Sequence, residues 1–165
     1  MKQRYFALAV VFACLGAASF ALAAPSAMGP APTAAEMKWI NTMGPKNPPG
    51  LPSGLTPVLG CIPTMGYHYA KAKDLPFGPI YGWYDGKPTF TEIMVDVKLF
   101  KEGKSWDQQL KPLPGYKIDH VDLWFEPHGH PGYPIPHYDI HAWYMPHSEH
   151  MTECGNASGK KPAWL

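Results

Sequence analysis

Charge is scarce in this chain, where only 16% of the 165 residues are Asp, Glu, Lys or Arg. A charge-driven disordered chain is therefore excluded. The 20 prolines and 16 glycines also exclude a coiled coil or a set of long helices, because both residues interrupt helix interiors. Basic residues show no excess. Lys2 and Arg4 fall in a leader, which leaves 12 bases against 13 acids and a mature net charge of −1. That balance gives no reason to expect a nucleic-acid partner. Cysteine is equally sparse at three residues with no Cys-x-x-Cys spacing, so a thiolate metal framework is the weakest reading of them.

What is present begins with that leader. Lys2 and Arg4 form a charged start, residues 5–23 carry no charge, and Ala21-Leu22-Ala23 supplies the small residues that signal peptidase requires. Residues 1–23 are read as a signal peptide, with an uncleaved anchor as the alternative. The mature protein is then exported, periplasmic or secreted, with no membrane span and the size of one domain. Export leaves Cys61 and Cys154 as an even pair in an oxidising compartment, where a disulfide is expected and two buried free thiols are the alternative.

The mature chain divides into a Pro/Gly-rich lead-in with a short helix (24–60), an antiparallel β-domain (61–150) and a C-terminal tail (151–165). Thr33-Ala34-Ala35-Glu36 has capping-box spacing, and Met37, Ile40 and Met43 would form the apolar stripe of the helix that follows. Residues 45–63 are too rich in Pro and Gly to predict regular structure. Asp85-Gly86 between two β-prone runs predicts a hairpin over residues 80–100, since this pair tolerates the positive φ of a type I′ turn. Alternation puts Thr91, Ile93, Val95, Val97 and Leu99 on its core face. Two further strands cover 120–126 and 137–145. The fold class is mainly β, a small antiparallel barrel or sandwich with one short N-terminal helix. Pairing of the last two strands with an odd sum of opposed residue numbers would group Asp122 and Glu126 with the histidine face and make Val121, Leu123 and Phe125 a core layer.

Histidine placement carries the chemistry. Seven of the eight histidines fall within residues 120–150. In His137-x-Asp139-x-His141 alternate side chains of a strand project to one face, so two imidazoles and a carboxylate can converge on one ion. His128-Gly129-His130 lies in the preceding loop and could bring an imidazole over the same face. A cupin is not assigned, because no glutamate follows His130 at that family's distance. His147, His150 and Met151 could form a separate soft copper site or merely a surface terminus. The competing reading of the whole set is a wet hairpin with solvated histidines.

Met65-Gly66-Tyr67-His68-Tyr69, Pro79-Ile80-Tyr81 and Pro136-His137-Tyr138-Asp139-Ile140-His141 together resemble a family of uncharacterised exported bacterial proteins. The resemblance runs from about Cys61 to Tyr144 and departs at Ala142, where the pattern has an aromatic. It implies a β-rich domain that tends to self-associate, carries no established reaction, and adds His68 as a candidate ligand.

The candidate metal set is thus His137, His141, Asp139, His68, His128 and His130, with zinc or copper as the expected ion. Three functions compete. The first is an exported protein with a His/Asp transition-metal site in a binding or structural role. The second is a metal-free, self-associating protein that binds a small apolar ligand or partner through aromatics such as Trp83, Tyr84, Trp124 and Trp143. The third is a metal-dependent enzyme.

Overall fold

The protein is described from a computed structural model that covers residues 34–130 and 132–162. The leader and Thr33 lie outside the described residues. The elements in chain order are α1 (Ala34–Ile40), β1 (Thr56–Ile62), β2 (Gly66–Ala70), β3 (Ile80–Tyr84), β4 (Lys87–Asp96), α2 (Val97–Lys101), β5 (His120–Glu126), β6 (His137–Trp143) and α3 (His147–His150). All six strands pair antiparallel in one sheet, ordered β1-β2-β3-β4-β6-β5. The mainly β architecture is the expected one. Its specific form is a sheet with two edge strands, β1 and β5, and no closing pair among the described residues.

Helix α1 docks by its C-terminal end rather than by the expected stripe. A Cβ on Gly60 would lie 1.7 Å from the Ile40 carbonyl oxygen, so only glycine lets the helix end approach β1 this closely. Ile40 packs on the cluster of Ile62, Met65, Phe90 and Trp143. Met37 and Met43 stay exposed, although the backbone of Met43 bridges Gly60 of β1.

Strand β1 occupies the segment for which composition predicted no regular structure. An edge strand tolerates prolines and register shifts, and β1 has Pro57 and two such shifts, at 57/59 and 59/61. Cys61 and Cys154 are disulfide-bonded across 93 residues. That bond ties β1 to the segment after α3, where Met151, Glu153 and Cys154 are buried. Residues 151–155 are packed structure and not a loose tail.

The β3–β4 hairpin follows expectation at its turn. Tyr84 opposes Lys87, and the two central residues have positive φ, 46° at Asp85 and 84° at Gly86. Strand β4 ends sooner than alternation suggested. The Asp96 carboxylate accepts a hydrogen bond from the Lys98 N–H (2.7 Å) and starts α2, so Val97 and Leu99 are helical. From Thr89 to Val95 both faces of β4 are buried, and β3 and β6 pair with its two edges.

Strands β5 and β6 pair with the predicted odd sum. Asp122 opposes His141, Trp124 opposes Asp139 and Glu126 opposes His137. The expected core face is buried at Thr91, Ile93 and Val95 of β4 and at Ala142 of β6, but it is open at β5. His137, Asp139 and His141 are buried, whereas Val121, Leu123 and Phe125 are 46%, 57% and 48% exposed. Cover explains the difference. On the outer face residues 111–113 meet Thr91 and Tyr144 through the Lys111 carbonyl and the Leu113 N–H, whereas β5 is the edge strand. Over the inner face lie Ile62, Met65 and Tyr133, packed on Phe90, Trp143 and His137. Trp143 is fully buried there, so it cannot belong to an aromatic binding surface.

Candidate metal centre

The inner face is built from the strand registers. Glu92 of β4 and Asp122 of β5 flank His141, while Met94 and Trp124 flank Asp139. His68 comes from β2, opposite Gly82 of β3. A Cβ at Gly82 would lie 2.2 Å from the Phe90 ring, so this glycine makes room for an aromatic floor. Phe90 meets His68 and His141 edge to face, with ring centroids 5.2 and 4.9 Å away. Two imidazoles from strands far apart in sequence thus stand on one ring.

His68, Glu92 and His141 form the first triad of possible metal ligands. Glu92 Oε2 lies 3.9 Å from His68 Nε2, and Glu92 Oε1 lies 3.5 Å from His141 Nε2. These gaps are too long for hydrogen bonds. Two donors bound to one tetrahedral ion at about 2.0–2.1 Å would stand roughly 3.4 Å apart, close to what is seen. Glu92 Oε2 and both ring nitrogens of His141 are buried without a hydrogen-bond partner. Burial, reinforced by the nearby charges of Asp139 and Glu126, pushes the Glu92 carboxyl well above the usual carboxylate range. Burial also lowers the imidazoles, His68 to about 4 and His141 to about 3. Both rings are therefore neutral, which is the form that binds metals.

His130, His137 and Asp139 form the second triad. His137 Nδ1–H donates to the Ile135 carbonyl (2.6 Å), which can only accept, so a neutral His137 presents its Nε2 lone pair to the site. That Nε2 lies 2.9 Å from Asp139 Oδ1 and 3.1 Å from His130 Nε2, and His130 Nε2 is 3.8 Å from Asp139 Oδ2. Lone pairs converging so closely need a proton or a metal ion among them. Burial would raise the Asp139 carboxyl, but the close imidazoles of His130, His137 and His141 outweigh it and hold Asp139 well below its ordinary value.

Five of the six residues expected from sequence therefore meet on one buried face, divided between two neighbouring triads. His128 is the exception, exposed in the loop and outside both triads. The glycine turn after it (Gly129, φ 65°) sends His130 inward instead. Glu92 went unrecognised, although an acid between Phe90 and Met94 in an otherwise apolar strand centre was a readable sign of it. Neither predicted carboxylate neighbour orients an inner imidazole. Glu126 pairs with Lys161 (3.2 Å), whose ammonium also sits over Trp124, and Asp122 turns toward the sheet edge.

Fold and site together define a class, an antiparallel β-sheet protein whose two-His, one-carboxylate triads are geometrically able to hold metal ions. No family model and no curated protein matches the chain. Among solved structures it is similar to a hypothetical protein from Thermus thermophilus. The match has a TM-score of 0.51 and 26% sequence identity, and covers 63% of this chain and 96% of that one. No helix among the described residues is long and apolar enough to cross a membrane.

Proposed function

We propose that this is an exported protein that binds transition-metal ions in the inner triads His68/Glu92/His141 and His130/His137/Asp139. One observation carries the reading. The Glu92 carboxylate is buried without hydrogen bonds at Oε2, and its two oxygens face neutral imidazoles at 3.5 and 3.9 Å. A buried, uncompensated carboxylate costs several kcal/mol or takes up a proton. A divalent cation resolves that cost and uses both imidazole lone pairs. The nitrogen-rich donor set favours zinc or copper over magnesium or calcium. The Cys61–Cys154 disulfide and the charged, then apolar leader support export. Metal analysis of untagged protein taken from the exported compartment tests the proposal. Zinc or copper should copurify at one or two ions per chain in these triads, and His137→Ala and His141→Ala should each lose metal. Full metal content in both variants would exclude the triads.

A second reading, self-association through the outer face, is favoured by the exposure of Val121, Leu123 and Phe125 beside exposed Ile118 and Phe100. It is compatible with the first, because the metal triads occupy the opposite face.

A further inference from the structure

A separate group of donors lies at the β5 edge, beside the first triad, where Asp122 opposes His141. We infer that His120, Asp122, His147 and His150 form a closed tetrahedral zinc site that pins α3 to the edge of the sheet. Asp122 Oδ2 is nearly equidistant from three ring nitrogens: 3.6 Å from His147 Nδ1, 3.7 Å from His120 Nε2 and 3.8 Å from His150 Nε2. His147 Nδ1 and His150 Nε2 are 3.1 Å apart. Four ligands at about 2.0–2.1 Å from a tetrahedral ion have edges of roughly 3.4 Å, which these separations bracket. A square plane would give Asp122 two near neighbours and one distant one.

The ligands are prepared for an ion. His120 Nδ1–H donates to Asp119 Oδ1 (2.9 Å), and His150 Nδ1–H donates to the Thr64 carbonyl (2.9 Å). Each bond directs the Nε2 lone pair of its ring toward Asp122, the carboxylate–imidazole and carbonyl–imidazole arrangement that orients metal ligands. His150 is fully buried and stacked on Trp143, with centroids 3.6 Å apart. His120 Nε2 and Asp122 Oδ2 are buried without hydrogen-bond partners. The site uses spacings that each element supplies: i, i+2 on a strand and i, i+3 on a helix face.

Its role is to add to the His150–Thr64 bond, the His150–Trp143 stack and the disulfide that already hold this segment. The helix has four residues, too few to be stable alone, and its ion pair Lys87–Glu149 is exposed. With four protein ligands and no open position, the site is structural rather than catalytic.

Zinc titration of the purified, disulfide-bonded protein tests this when followed by native mass spectrometry and amide exchange. The His147 side chain is 59% exposed, so His147→Ala should fold normally. It should bind one zinc ion fewer than the wild type, and zinc-dependent protection of residues 147–152 should disappear. His137→Ala should keep that protection. Asp119→Asn should weaken the edge site by about 10–100-fold. Cobalt in place of zinc should give intense tetrahedral absorption in the His137→Ala/His141→Ala variant that is absent once His147→Ala is added. An unchanged zinc count in His147→Ala, or wild-type residues 147–152 whose exchange ignores zinc, would overturn the inference.

Discussion

Glu92 stands directly opposite His141 in the β4–β6 ladder, and its Oε1 ends 3.5 Å from His141 Nε2 with both side chains buried. The pair is too far apart to hydrogen-bond and too deeply buried to be solvated. Its stability should therefore depend on whether a cation lies between the two groups.

Glu92→Gln separates the two states by sign. Without metal, the amide removes a buried acid and should stabilise the protein by on the order of 1–3 kcal/mol at neutral pH. With metal, the same change removes an anionic ligand and should lower affinity by more than about 10-fold. Melting curves with and without a chelator check both arms. A stabilised variant with undiminished metal affinity would show that Glu92 is no ligand.

Reduction should destabilise the fold strongly. The Cys61–Cys154 bridge closes a loop with a sequence separation of 93 residues, for which chain entropy gives on the order of 4–5 kcal/mol. The native protein should weigh two hydrogens less than the reduced form, and a reductant should lower its melting temperature. Two thiols open to alkylation in native protein would contradict the pairing.

Glu153 makes stability fall toward alkaline pH. Burial, helped by Glu149 and opposed by Lys87, pushes its carboxyl up to about 9. The folded state then holds a proton that the unfolded chain releases near the ordinary value of 4.5. This contribution is fully present below about 4.5 and is lost as pH rises toward 9. Glu153→Gln should raise the melting temperature by several degrees at pH 8 and leave it unchanged at pH 4. An equal effect at both pH values would assign the gain to packing.

Leu123→Glu probes the outer face. Burying Val121, Leu123 and Phe125 between two copies would contribute about 1.5–3 kcal/mol per side chain, so one charge in the stripe should disperse the assembly. Sedimentation over a concentration series should show wild-type oligomers and a monomeric variant with an unchanged disulfide. Wild type that stays monomeric throughout would remove the outer face as an interface.

Local rules in the sequence determined much of this protein. The Asp85-Gly86 turn, the limits of β5, the odd pairing of β5 with β6 and the meeting of His137 with Asp139 all follow from period-two alternation and turn chemistry, which act over a few residues. Tertiary structure decided that both faces are buried over β4 and that at β5 only the histidine side is covered. Alternation separates Leu123 from His137 and His141, but whether a face is buried depends on what other segments lay over it. Here the disulfide-linked C-terminal segment and residues 62–65 cover the histidine side. The same limit hid the partnership of Glu92 with His68 and His141, and that of His147 and His150 with His120 and Asp122. Their donors come from different elements, and only the packed chain sets the distance between them.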